Sequence, residues 1–70
     1  MDGAQAGAEV VDIRGRRVGV LMSCRAGSIL IARPDGTEIR LSDDAIFTTS
    51  SLRIGLVCNL ERVARYEIPQ

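Results

Sequence analysis

The chain has 70 residues, enough for one small domain, and 46% of them are hydrophobic, which is enough for one compact core. Its nine basic residues, all Arg, are balanced by nine acidic ones, so net charge does not favour a nucleic acid or an anionic membrane as partner. There is no His and there are only two aromatic residues, which excludes the usual general base and a base-stacking platform.

The N-terminal residues 1–8 have no periodicity, and we predict a flexible tail there, followed by a single small β-barrel domain over residues 9–70. Val10 to Ile13 is predicted to be a short strand. Arg14-Gly15-Arg16 then turns the chain, because Gly15 can adopt a positive φ.

The segment from Arg17 to Cys24 is predicted to be a second strand, because apolar residues recur at every second position. Strict alternation places Val18, Val20, Met22 and Cys24 on one face, and Arg17, Gly19, Leu21 and Ser23 on the other. Arg25-Ala26-Gly27 is the next predicted turn.

The strongest local signal is Pro34-Asp35-Gly36, which is predicted to join two strands within Ile29–Leu41 as a hairpin. Pro34 presets φ at the first turn position, and Gly36 can adopt the left-handed conformation. In the second strand, Ile39 and Leu41 are expected to point inward with Thr37, and Glu38 and Arg40 are expected to face water.

After the hairpin, Ser42 to Phe47 is predicted to hold a helical or 3₁₀ turn, with Ser42 or Asp43 as the cap. Residues 48–51 are predicted to be a polar connector, and Leu52 to Cys58 a further strand. The apolar spacing of residues 60–66 predicts a short C-terminal helix, with a final strand as the alternative. Asn59 is the expected cap of that helix.

These elements predict an all-β fold, a small barrel of five or six strands with a short C-terminal helix. Their order resembles the PRC-barrel-like superfamily. The resemblance lies in Val11-Asp12-Ile13-Arg14-Gly15, an Asp-x-x-Gly turn, followed by Arg17-Val18-Gly19-Val20-Leu21. It implies a non-enzymatic adaptor barrel of PRC or SH3-like type, with no catalytic residues to carry over.

A second resemblance is to OB-fold barrels, in which Leu52-Arg53-Ile54-Gly55 matches a late Leu-x-x-Gly element. Cold-shock members of that class place base-stacking aromatics on their second and third strands. This chain has Ser28, Leu30, Ile39 and Leu41 there, which cannot stack on bases. The resemblance therefore implies an OB-like barrel without cold-shock RNA binding.

Arg14, Arg16 and Arg17 form the densest basic cluster and are the candidate contacts for a protein partner or a nucleic acid. The alternative is a solvated turn whose charge is balanced by Asp12 and Glu9.

The acidic pair Asp43 and Asp44, with Glu38 near in sequence, is better explained by helix capping than by metal binding. We therefore expect no metal, no cofactor and no catalytic residue.

The two cysteines, Cys24 and Cys58, are too few for a zinc framework. Each lies in a predicted strand, which favours buried reduced thiols, with a disulfide between neighbouring strands or a redox or nucleophilic role as the alternatives.

Leu21, Leu30, Ile46 and Phe47 exceed what one small core needs, so some of them are expected to form an outward apolar patch. We therefore predict an interaction module that forms a homodimer or binds a protein partner through an apolar barrel face. Nucleic-acid binding through the turn at residues 14–17 is the alternative function. No signal peptide or membrane span is evident, so a cytoplasmic location without membrane contact is expected.

Overall fold

The computed structural model describes residues 5–69, and that part of the chain contains six strands and two 3₁₀ helices. In chain order the elements are β1 (Glu9–Val11), β2 (Arg17–Arg25), β3 (Ser28–Ala32), β4 (Glu38–Ser42), η1 (Asp43–Ala45), β5 (Ile46–Thr49), β6 (Arg53–Leu56) and η2 (Leu60–Tyr66). The strand-rich fold and the short helix near the C-terminus are confirmed. The polar connector predicted over residues 48–51 is wrong in part, since β5 extends to Thr49.

The six strands form one sheet in the order β4-β3-β2-β1-β6-β5. Neighbouring strands are antiparallel except β1 and β6, which are parallel. The edge strands β4 and β5 are consecutive in the chain and are joined by the three residues of η1. They are not paired with each other, so the sheet is not closed into a barrel.

The predicted hairpin joins β3 and β4. Arg33 N donates to Thr37 O at 2.7 Å and Gly36 N donates to Arg33 O at 3.0 Å, while Gly36 has a φ of 91°. Asp35 Oδ1 accepts from Thr37 N at 3.0 Å and from Thr37 Oγ1 at 2.6 Å. The turn therefore uses Gly36 in the left-handed conformation, as its sequence predicts.

Strand β2 does not alternate as predicted, because two β-bulges interrupt its pairing. Opposite β1, Val10 pairs with Gly19 and Val11 pairs with Arg17, so Val18 is an extra residue. Opposite β3, Met22 is extra in the same way. Each bulge shifts the alternation by one position, and as a result Val18 and Leu21 are both buried while Met22 is 42% exposed.

The N-terminal segment lies against β2. Gly7 N donates to Leu21 O and Leu21 N donates to Ala8 O, both at 2.8 Å, and Ala8 is 3% exposed. Of the predicted tail, residues 1–4 lie outside the described residues, as does Gln70 at the end of the predicted domain.

The core takes side chains from every strand except the edge strand β5, whose Ile46 packs against it half-buried. Its fully enclosed members are Val10, Ile29, Ile31, Leu41, Ala45 and Ile54. Helix η2 contributes Val63, which is 1% exposed. Within residues 5–69, no helix has the length and apolar character needed to cross a membrane.

Candidate functional site

Asp12, immediately after β1, is 2% exposed although it is an acidic residue. Its Oδ1 accepts from Arg14 N at 2.9 Å and Arg16 N at 2.8 Å, and its Oδ2 accepts from Arg16 Nε at 2.8 Å and Leu60 N at 2.9 Å. One carboxylate therefore closes the β1–β2 turn and caps the first turn of η2. Asn59 occupies the predicted N-cap position of η2, but its side chain makes no capping hydrogen bond.

The guanidinium of Arg16 joins Asp12 to Glu61. Its two terminal nitrogens donate to the Glu61 carboxylate at 2.9 and 2.8 Å. The hydrogen bonds that Arg16 donates to Glu61 and Asp12 raise the pKa of Arg16, and the bonds that Glu61 accepts from Arg16 lower the pKa of Glu61. Burial raises the pKa of Asp12, but hydrogen bonds from Arg16, Leu60 and Arg14 outweigh it and hold that pKa below its usual value.

The structure therefore separates the three arginines of the predicted cluster. Arg16 is engaged with Asp12 and Glu61, which is a structural role. Arg14 is exposed in the turn, and Arg17 is exposed at the start of β2. The alternative prediction, that Asp12 and Glu9 balance the charge of this turn, is correct for Asp12, which pairs with Arg16. It is wrong for Glu9, which pairs with Arg53.

Arg17 lies instead beside the β3–β4 hairpin, where it lines an open groove together with Arg33 and Pro34. The groove has two adjoining hollows of about 330 and 360 Å³ that share these three residues. Gly19, Val20 and Ala32 complete the first hollow, and Val18, Asp35 and Leu60 complete the second. We call this site the arginine groove.

The arginine groove depends on the pairing of β2 with β3. Val20 is opposite Ala32, so the start of β2 is beside the residues that lead into the hairpin turn. Gly19 permits this approach, because a Cβ there would overlap the Ala32 carbonyl oxygen and lie 2.7 Å from Ile31 Cγ2. Arg33 was not among the predicted contacts, since it is 16 residues from Arg17 and only strand register brings the two together.

The groove also holds one carboxylate, that of Asp35. Hydrogen bonds from Thr37 and then the nearby charge of Arg33 lower the pKa of Asp35, so it is ionised at neutral pH. The side chains that line the groove therefore carry two positive charges and one negative charge.

A second surface is the outer edge of β5. Phe47 on this strand is 69% exposed, and Leu52 in the following loop is 76% exposed. Of the four predicted surplus residues, Phe47 is exposed, Leu30 and Ile46 are half-buried, and Leu21 belongs to the core. The prediction of an outward patch is therefore wrong for Leu21, because the bulge at Val18 turns it inward.

The two sheet edges differ in how they are covered. On β4, Leu41 forms a bridge with Glu67, and Ile68 N donates to Arg40 O at 2.7 Å. On β5, within residues 5–69, no such backbone pairing covers the edge opposite β6. An uncovered edge exposes N–H and C=O groups that can pair with another strand.

Cys24 and Cys58 are both free thiols, so the disulfide alternative is not realised in this structure. Cys24 is half-buried and Cys58 is buried, and burial raises the pKa of the Cys58 thiol. In the η1 turn, Ser42 Oγ accepts from Asp44 N at 3.2 Å, which confirms the predicted capping.

Comparisons of the chain with protein-family models, with curated proteins and with solved structures found no significant match. Function is therefore inferred from the two surfaces described above, the arginine groove and the β5 edge.

Proposed function

We propose that this chain is a non-enzymatic interaction module that forms a homodimer by pairing β5 of one copy with β5 of a second copy. The observation that carries the proposal is an uncovered edge strand bearing Phe47, 69% exposed. The strand Ile46-Phe47-Thr48-Thr49 contains no charged residue and no Pro, so two of the features that protect an edge from pairing are missing from it. A third such feature, a β-bulge, is present at Phe47 in the pairing with β6.

A second copy fits this edge because the strand is self-complementary. In an antiparallel pair with a twofold axis between Phe47 and Thr48, each phenyl ring lies beside a threonine of the other copy.

The finer assignment to a small barrel of PRC or SH3-like type belongs to the same proposal. Its support is that the edge strands β4 and β5 are joined by only three residues, which keeps the two edges of the sheet close at η1. Such a domain works by offering a surface rather than a reactive group.

The proposal is tested by light scattering coupled to size exclusion over a concentration series. The wild-type chain is expected to be dimeric. Phe47→Glu is expected to weaken the dimer at least about tenfold, because it places a charge where the dimer would bury the phenyl ring. Met22→Glu is the matched control, since Met22 is also an exposed apolar residue but lies on β2, inside the sheet.

Amide hydrogen exchange locates the interface. Protection of the Phe47, Thr48 and Thr49 amides is expected to rise with protein concentration, while protection of β4 amides stays constant. A wild-type chain that remains monomeric at every concentration, or a dimer unchanged by Phe47→Glu, would contradict the proposal.

A further inference from the structure

We propose that the arginine groove binds an anionic group with at least two oxygens on one centre, a carboxylate or a phosphate carried by a ligand. The inference is independent of the proposed dimer, since the groove is formed by β2, the β3–β4 hairpin and Leu60, and includes no residue of β5.

The first support is that both guanidinium groups are available. Within residues 5–69, the ion pairs use Arg16 and Arg53, and Arg40 donates to Ser28 Oγ. Neither Arg17 nor Arg33 makes a side-chain hydrogen bond within that same range. A guanidinium presents several N–H donors in one plane, which matches the paired oxygens of carboxylates and phosphates.

The second support is the shape and lining of the groove. Hollows of about 330 and 360 Å³ are open enough for a small anion and for the group that carries it. Apolar surface from Val18, Val20, Pro34 and Leu60 borders the two arginines. A few charged groups set in a mostly apolar concave surface are typical of small-ligand sites.

The third support is the charge balance. Asp35 offsets one arginine, and its Oδ1 is already occupied by Thr37 N and Oγ1. One positive charge is therefore left over in the groove for an incoming anion. Asp35 also repels such an anion, so its neutralisation is expected to strengthen binding rather than weaken it.

The test is a titration of the full chain at low salt, with inorganic pyrophosphate and separately with citrate. Binding is monitored through the NMR chemical shifts of the backbone amides. Shift changes are expected at Gly19, Ala32 and Arg33, and Arg17→Ala or Arg33→Ala is expected to weaken binding about three- to tenfold. Arg14→Ala is the matched control, because Arg14 is also exposed and is close to Arg17 in sequence but lies outside the groove.

Asp35→Asn provides a variant that gains affinity. Asn keeps an oxygen that can accept from Thr37, so the turn is expected to persist while anion binding strengthens about two- to fivefold. This result cannot come from loss of folding. Tighter binding of pyrophosphate assigns the site to phosphates, and tighter binding of citrate assigns it to carboxylates.

Three results would overturn the inference. The first is no chemical-shift change at the groove with either anion, and the second is anion binding by Arg17→Ala and Arg33→Ala that is as tight as in the wild-type chain. The third is binding to a mixed oligonucleotide that requires Arg14 as much as Arg17. The last result would support nucleic-acid binding through the turn at residues 14–17. Phe47→Glu is expected to leave anion binding unchanged, so failure of the dimer and failure of the groove can be told apart.

Discussion

At the scale of single residues, Asp12 determines how the β1–β2 turn and η2 fit together. Its two oxygens accept four hydrogen bonds, from Arg14 N, Arg16 N, Arg16 Nε and Leu60 N. The acceptor bonds within the turn follow from an Asp that precedes a Gly by three residues. The bond to Leu60 spans 48 residues and comes from tertiary structure.

The lowered pKa values of Asp12 and Glu61 predict how stability depends on pH. Because each folded-state pKa is below the unfolded value, the unfolded chain binds more protons as the pH falls through that window. The stabilisation is therefore complete above the unfolded pKa values of about 4 and is lost as the pH falls through the folded ones. Urea unfolding across a pH series measures this loss.

Asp12→Asn is expected to lower Tm by more than about 5 °C at neutral pH, because an amide NH₂ would face N–H donors that now bond to an oxygen. It should also reduce the acid dependence of stability. Asp44→Asn is the control, since Asp44 is exposed in η1. Equal acid dependence in wild type and Asp12→Asn would contradict the role given to Asp12.

At the scale of elements, the close approach of β2 and β3 depends on Gly19. A methyl group there would meet the Ala32 carbonyl and Ile31 Cγ2, and backbone atoms cannot move aside without parting the strands. Gly19→Ala is expected to cost about 2–4 kcal/mol of unfolding free energy, measured by urea denaturation. Changes in amide chemical shifts along β2 and β3 would accompany this loss of stability.

Gly55→Ala is the matched control in β6. Its Cβ would lie 2.6 Å from Thr48 Oγ1, the end of a side chain that is exposed and can rotate away. The expected cost is less than about 1 kcal/mol. Similar losses for the two variants would show that the spacing of β2 and β3 is not limited by Gly19.

The elements also show why the sequence predictions succeeded or failed. The β3–β4 hairpin and η1 were predictable because Pro34, Gly36 and Ser42 act locally on the backbone. The bulges in β2 were not, because an extra residue is defined only by the strand opposite. Strand β5 was missed because its four residues, two apolar and then two polar, have no alternating pattern and were divided between the η1 turn and a polar connector.

At the scale of the whole molecule, a 70-residue chain gains from any surface that it buries against a copy. If the β5 edge mediates a dimer, unfolding is coupled to dissociation, and Tm is expected to rise by a few degrees for each tenfold increase in protein concentration. Calorimetry over such a series measures the shift. Phe47→Glu is expected to shift this concentration dependence to at least about tenfold higher protein concentrations, and an unshifted dependence would point to another interface.

The sequence by itself determined the strand-rich fold, the hairpin at Pro34-Asp35-Gly36 and the capped η1 turn, because each rests on local propensity or periodicity. It also predicted a helix over residues 60–66, where η2 lies, but left a final strand as the alternative. Only the tertiary structure decided that Arg16 is held by Asp12 and Glu61 and that Arg17 lies with Arg33. The tertiary structure also determined that β5 is the uncovered edge of the sheet. These features depend on register and on contacts between residues distant in the chain, which no local pattern encodes.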